Sequence, residues 1–203
     1  MKKSDITKTK ILESAEQEFA EMGLYGARVD SIAQNAGVNK RMIYEHFGSK
    51  EKLYSTVLTA VYARLADSEA ELLSAGESCV ETIRALIKRY FELLRENTTF
   101  IRMVMWENLT GAQYLKNSNA PTVKGKALTL LREALETGIK EGVFREDIDI
   151  SEIMLSMNLF CFSYFSNVHT MPHVLNVEFE DDELLNKRSS AVADMILGYI
   201  MKK

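Results

Sequence analysis

The most constraining feature of this sequence is a glycine, Gly37, that separates two short segments with helical apolar spacing. Apolar residues recur on both sides of it at intervals of a helical stripe: Val29, Ile32, Ala33 and Ala36 before the glycine, and Val38, Ile43 and Phe47 after it. Gly37 can adopt the left-handed conformation that ends the first helix, and two small alanines allow the second helix to cross closely. The sequence therefore predicts a helix-turn-helix over residues 29–50.

Five side chains of the second helix lie off its apolar stripe and are expected to face outward: Lys40, Arg41, Met42, Tyr44 and His46. Two cations, a phenol and an imidazole on one face suit a DNA groove edged by phosphates. An ordinary helical hairpin with a solvated basic face has the same spacing. The spacing alone leaves both interpretations open.

The distribution of charge favours a local basic surface. The net charge is −4, but residues 1–52 carry nine Lys or Arg against eight Asp or Glu, a net of +1, which leaves −5 for residues 53–203. A protein that coats nucleic acid with its whole surface is excluded by this balance. The charge balance agrees with a small DNA-binding domain attached to a larger acidic domain.

Other functional classes find little support in the sequence. There is no nucleophile with a base in a known motif and no phosphate-binding glycine loop, so we expect no catalytic residues, no cofactor and no enzyme. His169 and His173 could share a metal if they were helical, but Pro172 between them favours a loop, and we expect no metal site.

The termini and the cysteines indicate a soluble cytoplasmic protein. The charged start is followed by an amphipathic rather than an apolar segment, which is unlike a signal peptide. The densest apolar run, Ile153–Phe165, is interrupted by polar residues and is too short to span a bilayer, so no membrane association is expected. Cys79 and Cys161 match no metal or redox spacing and are interpreted as reduced core thiols.

Helical periodicity throughout predicts an all-α fold. A first helix has its apolar stripe at Ile11, Ala15, Phe19 and Met22 and is expected to end at Gly23. A long helix starts near Leu53 and is expected to reach about residue 73, where Gly76 breaks the pattern. We divide the chain into a helix-turn-helix domain, residues 1–50, and an all-helical ligand-binding and dimerisation domain, residues 51–203.

The N-terminal motifs resemble a known family. Residues 8–54 contain F-x-x-x-G-L-Y-G, I-A-x-x-A-G-V and I-Y-x-H-F-x-S-K in that order, and this region is similar to the DNA-binding domain of the tetracycline-repressor (TetR) family. The resemblance implies a homodimer in which the second short helix enters the major groove of a double-stranded DNA operator. It also implies an all-helical sensor for a small-molecule effector.

The resemblance assigns roles residue by residue. Lys40, Arg41 and Met42 fall where such proteins contact the groove, and Tyr44, His46 and Lys50 fall at phosphate-contacting positions. Arg28 departs from the pattern, because threonine is common there. A hydroxyl cap is lost at that position and a phosphate-binding cation is gained. The bulky Arg41–Met42 pair also departs from it, so an operator inferred from relatives would not transfer.

The body of the chain supplies a candidate effector pocket and a dimer interface. Three segments, 106–115, 142–150 and 160–167, resemble the sensor domain of pyrimidine-utilisation-type TetR regulators, which does not name a ligand. Candidate pocket residues are methionines and aromatic side chains: Met103, Trp106, Tyr114, Met154, Met157, Phe160 and Tyr164. The helix over residues 150–167 is apolar all round and, with the last helix, is predicted to form the dimer.

These features lead to a ranked set of functions. The first is a ligand-responsive repressor that binds a palindromic operator as a homodimer and is released by a small apolar or aromatic molecule. Activation, co-repression and ligand-independent regulation are the alternatives, and an all-helical enzyme is a remote one. A large apolar body argues against an architectural DNA binder, since such proteins need little beyond the reader.

Overall fold

The structure is a computed structural model, and it describes residues 3–70, 78–117, 126–177 and 182–202. These residues form eleven α-helices: α1 (Lys3–Gly26), α2 (Val29–Ala36), α3 (Lys40–Phe47), α4 (Lys50–Ala70), α5 (Cys79–Glu96), α6 (Thr98–Leu109), α7 (Gln113–Lys116), α8 (Lys126–Lys140), α9 (Ile150–Ser166), α10 (Met171–Leu175) and α11 (Asp182–Ile200). Within this described part no strand forms beyond one isolated antiparallel bridge, between Phe144 and Met201. The predicted all-α fold is confirmed.

The chain packs as two compact units. The first contains residues 1–64 and 98–122, and the second contains residues 65–97 and 123–203. The first unit therefore combines α1, α2, α3 and most of α4 with α6 and α7. None of the helices in the described residues is long and apolar enough to cross a membrane.

The core of the first unit is the one that the periodicity predicts. Ile11, Phe19, Ile32 and Ile43 are almost completely buried, and Phe47 closes the same core from the end of α3. The Ser14 hydroxyl donates to the Ile32 carbonyl at 3.0 Å and fixes α1 against α2. The three helices α1, α2 and α3 thus share one set of apolar contacts, which holds α3 in place.

The turn between α2 and α3 is also as predicted. Gly37 is left-handed (φ 65°, ψ 36°), and its N–H donates to the Ala33 and Gln34 carbonyls. The sequence interpretation missed Asn39, whose side chain accepts a hydrogen bond from the Arg41 N–H at 2.9 Å and caps α3. Arg28, at the N-cap of α2, makes no side-chain cap.

Gly23 ends the first helical stretch of α1, as the sequence predicts. Its backbone is non-helical (φ 65°, ψ 177°), and the helix resumes for a further turn to Gly26. The break reorients the residues around it, so Met22, which was predicted to lie on the buried stripe, is about half exposed. A side chain at Gly23 would collide with the Trp106 ring, which would lie 2.7 Å from the added Cβ. Only glycine allows this approach of α6 to α1.

The second unit packs α5 against α8, α9 and α11. Its core contains Ile83, Ile87 and Phe91 of α5 together with Leu131 and Leu135 of α8. Phe144, after α8, is fully buried against Gly138, where an added Cβ would collide with the phenylalanine ring. Helix α9 begins after Asp149, whose carboxylate accepts from the Ser151 and Glu152 N–H groups.

Two segments, residues 110–122 and 168–180, contain short helices, although their glycine, asparagine or proline content predicts loops. Residues 110–122 include α7, and residues 168–180 include α10 with Pro172 in its first turn. Proline is well tolerated in the first turn of a helix. Pro172 therefore lies at the start of a short helix, where we had expected a loop. The predicted helix end near residue 73 and the break at Gly76 lie outside the described residues.

Candidate DNA-binding surface and ligand cavity

The outward face of α3 contains the residues that the sequence assigned to DNA. Lys40, Arg41 and Tyr44 are exposed, while Met42 and His46 are half-buried. Ile43 and Phe47 on the opposite side are buried, so the orientation of α3 is determined by its apolar stripe. All five side chains are thus at least partly accessible to solvent on this short helix.

Both cations at the start of α3 already have acidic partners. The Lys40 ammonium lies 2.9 Å from the Asp30 carboxylate, and the hydrogen bond that it donates to that carboxylate raises the pKa of Lys40. Arg41 Nε donates to Glu45 one turn later at 2.7 Å. Exposed pairs of this kind are weak, because water screens both charges. They orient the side chains and can be released when phosphates approach.

Lys50 has a structural contact that the sequence did not reveal. Its ammonium donates to the Ala27 carbonyl at 2.7 Å, across 23 residues, in a half-buried position. This bond ties the start of α4 to the turn that precedes α2. Two of the three ammonium protons remain for other acceptors, so a phosphate contact by Lys50 stays a prediction.

Arg28 lies beside the same turn with an exposed side chain. Its backbone N–H donates to the Glu18 carboxylate at 2.8 Å, which anchors the start of α2 to α1. The guanidinium is therefore carried on a fixed backbone, next to the first turn of α2. Its contact with phosphate also stays a prediction.

The first unit contains a cavity of about 330 Å³. Residues from α1, α4, α6, the α6–α7 turn and α7 line it: Met22, Leu24, Tyr25, Gly26, Tyr54, Trp106, Glu107, Leu109, Thr110 and Tyr114. Trp106 forms one wall, where its indole N–H donates to the Ala20 carbonyl at 3.3 Å. The break at Gly23 thus creates both the wall position of Trp106 and the turn that carries Leu24 and Tyr25.

A buried carboxylate lies in the wall of this cavity. Glu107 is only 2% exposed. It accepts hydrogen bonds from the Tyr54 hydroxyl at 3.0 Å and from the N–H groups of Tyr114 and Leu115 at 3.2 and 2.8 Å. Burial and the neighbouring carboxylate raise the pKa of Tyr54 well above its usual value, so its hydroxyl remains a donor. Glu107 therefore joins α4, α6 and α7.

The seven candidate pocket residues are divided between the two units. Trp106 and Tyr114 line the cavity of the first unit, whereas Met103, in the same helix as Trp106, is completely buried and does not line it. The other four lie on α9 in the second unit: Met154, Met157, Phe160 and Tyr164. Of these, Tyr164 packs edge-on against Phe91 at 5.8 Å.

The sequence interpretation missed Tyr25, Tyr54 and Glu107 as cavity residues. A signal for Glu107 was present, because residues 100, 103 and 107 have the spacing of one helical stripe, and Phe100 and Met103 are buried with it. A carboxylate on a buried stripe is uncommon and marks a specific interaction. Tyr25 gave no such signal, since its position depends on the break at Gly23.

A second exposed surface is apolar and lies on α9 and α11. Leu155, Leu159, Met195 and Tyr199 are about half exposed, although α9 and α11 pack against each other. Exposed large apolar side chains that cluster on adjacent helices are typical of interfaces. The opposite side of α9 is buried through Ile153, Met157 and Cys161.

Comparisons with known proteins agree with this architecture. Residues 11–57 match the family model described as bacterial regulatory proteins, tetR family, and residues 80–196 match that of the tetracyclin repressor-like C-terminal domain. The HTH-type transcriptional repressor NicS of Pseudomonas putida is 32% identical over 195 residues, which cover 96% of this chain and 92% of that protein. The HTH-type transcriptional repressor KstR2 of Rhodococcus jostii is 29% identical over 70% of each chain.

Solved structures share the fold at lower identity. KstR2 of Mycobacterium tuberculosis superposes with a TM-score of 0.69 at 20% identity and covers 100% of this chain and 98% of its own. FadR of Bacillus subtilis, solved in complex with stearoyl-CoA, gives 0.67 at 22% identity, with 95% and 99% covered. Together with the match of both family models, the helix-turn-helix and its position ahead of an all-helical body show that this chain belongs to the TetR family of DNA-binding transcriptional regulators, which are not enzymes.

Proposed function

We propose that this TetR-family regulator is a repressor that binds a palindromic DNA operator as a homodimer and is released by a small apolar or aromatic molecule. The observation that carries the proposal is the outward face of α3, where cations and hydrogen-bonding side chains lie on a helix fixed by a buried stripe. Its relatives NicS and KstR2 are named repressors, which favours repression over activation or co-repression. Such a regulator acts in the cytoplasm, where the DNA is.

Arg41 is proposed to read bases and Lys40 and Met42 to contact the groove beside it. Arg41 is well suited because its hydrogen bond to Glu45 is donated by Nε, so the two terminal nitrogens, which guanine can accept as a bidentate pair, are not part of that bond. Arg28, Tyr44, His46 and Lys50 are proposed phosphate contacts around it. The helix-turn-helix domain of residues 1–50 then positions α3, and residues 51–203 sense the effector and dimerise.

The exposed apolar side chains of α9 and α11 support the homodimer. Two copies of this pair of helices would form a four-helix interface and bury Leu155, Leu159, Met195 and Tyr199, which are otherwise in water. A two-fold dimer presents two copies of α3. The operator should therefore be palindromic, with half-site centres roughly one helical turn (about 34 Å) or somewhat more apart.

The effector is proposed to bind residues among the seven candidates in α6, α7 and α9. FadR was solved with stearoyl-CoA, which shows that this fold accommodates an organic ligand in that protein. For the present chain the proposed effector is a smaller molecule. If the effector binds in the first unit, its size is limited by the volume of the cavity that Trp106 and Tyr114 line.

A random-duplex selection with the purified full-length protein tests the proposal. Enrichment of a palindrome would support operator binding by a dimer and would give the operator sequence. Enrichment of no sequence over the starting pool, at low salt and without added ligand, would contradict it. Co-repression makes a different prediction, since enrichment would then require an added metabolite extract.

A further inference from the structure

The Glu107 carboxylate in the cavity wall lacks a counter-charge within the described residues. Its three hydrogen-bond donors, a phenol and two backbone amides, are neutral. No described Lys, Arg or His lies within 4.0 Å of it. Buried carboxylates are ordinarily paired, because burial of an uncompensated charge is costly. A carboxylate has roughly four acceptor positions, so three bonds leave about one available.

Aromatic side chains surround the space in front of this carboxylate. Tyr25, Tyr54, Trp106 and Tyr114 all line the cavity, and the Tyr54 and Tyr114 rings meet edge-to-face at 5.3 Å. Burial and the neighbouring Tyr25 raise the pKa of Tyr114, so the two phenols lie close together. The faces of aromatic rings attract organic cations, most strongly when the cation is desolvated. Walls of this kind suit a positively charged ligand with an apolar body.

The volume of the cavity and the side chains at its rim restrict the class of ligand further. A volume of about 330 Å³ is near the lower end of small-molecule sites, about 300–1,000 Å³. At the rim Tyr25 and Leu109 are largely exposed and Met22 is about half exposed, and a bound molecule with an apolar body would cover them. An anion would be repelled by Glu107, and a neutral molecule would leave the carboxylate without a counter-charge.

We propose that this cavity binds a small aromatic ammonium ion, whose charge pairs with Glu107 and whose ring packs among Tyr25, Trp106 and Tyr114. The site belongs to the unit that contains α3, and its walls include the last turn of α1, which leads into α2. An occupant should therefore alter operator binding. That consequence, unlike the binding itself, rests on the proposed function.

The first experiment measures binding to the full-length protein without DNA. Trp106 is the only tryptophan of the chain, so its fluorescence reports on the cavity wall. Three probes share one body and differ in charge: phenethylamine (cation), 2-phenylethanol (neutral) and phenylacetate (anion). We expect a saturable change with phenethylamine at pH 7, at least tenfold weaker binding of the alcohol, and none of phenylacetate. Calorimetry provides a second readout.

Two variants and a control assign the site. Glu107→Gln keeps an acceptor oxygen for the α7 amides and removes the charge, and we expect it to weaken phenethylamine binding at least tenfold. Tyr25→Leu, at an exposed rim position, should weaken it about threefold or more and should fold even if Glu107→Gln does not. Glu13→Gln removes the same charge from an exposed position of α1 and should bind like the wild type.

Several results would overturn the site: equal affinities for the amine and the alcohol, no saturable change with any probe, or undiminished binding by folded Glu107→Gln.

The second experiment adds the selected operator. Phenethylamine should lower operator affinity in the wild type and not in Glu107→Gln; an unchanged affinity on full occupancy would show that the cavity is not an effector site. A protein that binds no DNA would contradict the proposed function, and the first experiment would still decide the site.

Discussion

Two surfaces of this protein are similarly exposed but have opposite chemistry. On α3 the exposed side chains are charged or polar, and Lys40 and Arg41 are already held by Asp30 and Glu45. On α9 and α11 the exposed side chains are large and apolar, with Leu159 54% and Tyr199 57% exposed. The cations on α3 are stable in water, and each can exchange its carboxylate partner for another anion. Apolar side chains gain from leaving water, so the second surface needs a partner in a way that the first does not.

The largest effect should come from placing a charge on the apolar surface. Leu159→Glu would bury an unpaired carboxylate twice in a two-fold interface, which costs about 3–5 kcal/mol for each buried charge. We expect a monomer at micromolar concentration in analytical ultracentrifugation and loss of tight operator binding. Val174→Glu on α10 introduces the same charge at an exposed apolar position outside α9 and α11 and should remain dimeric. A dimeric Leu159→Glu would remove α9 from the proposed interface.

The next effect concerns base reading by α3. Arg41→Ala should cost about 1–3 kcal/mol on the selected operator and relax specificity at one position in each half-site. Lys88→Ala, an exposed cation of α5, is the matched control and should leave binding unchanged. Binding to specific and random duplexes is compared by fluorescence anisotropy. Equal losses on both would assign Arg41 to phosphate rather than to a base.

Substitution of Lys50 distinguishes a structural role of this residue from a contact with phosphate. Lys50→Ala should weaken all duplexes alike and flatten the salt dependence. It also removes the bond to Ala27, which should lower the free energy of unfolding by about 0.5–1.5 kcal/mol. Urea unfolding and binding at several salt concentrations measure the two effects separately. A lowered stability with an unchanged salt slope would leave Lys50 only its structural role.

A smaller, local effect distinguishes the two sides of α9. Burial raises the pKa of the Cys161 thiol to about 12, so the native protein should resist iodoacetamide at pH 8 there. The raised pKa also means that this thiol's contribution to stability is complete below the unfolded value near pH 9 and is lost as the pH rises toward 12. Cys161→Ala should therefore flatten the fall in urea midpoint over this range. Rapid labelling of native Cys161 would contradict the inward orientation of this side of α9.

The surface of α3 and the cavity of the first unit differ in how far the sequence predicts them. The buried stripe of α2 and α3 and the left-handed Gly37 follow from local spacing, and the outward face of α3 follows from them. The cavity does not, because it depends on contacts between distant residues. Tyr54 meets Glu107 across 53 positions, and α7 forms where the Glu107 carboxylate accepts two of its N–H groups. A helix of four residues has little intrinsic stability, so its sequence predicts a loop.

One salt titration tests the central claim, that α3 binds DNA through charge while α9 and α11 associate through apolar contact. The Kd for the operator and the Kd for dimerisation are measured on the same protein between 50 and 300 mM potassium chloride. If Arg28 and Lys50 of both protomers neutralise four phosphates, log K for the operator should fall against log salt with a slope of about −3.6. Dimerisation should be nearly independent of salt, since burial of apolar surface is not screened. A flat operator curve, or a dimer that dissociates as steeply with salt as the DNA complex, would contradict the account.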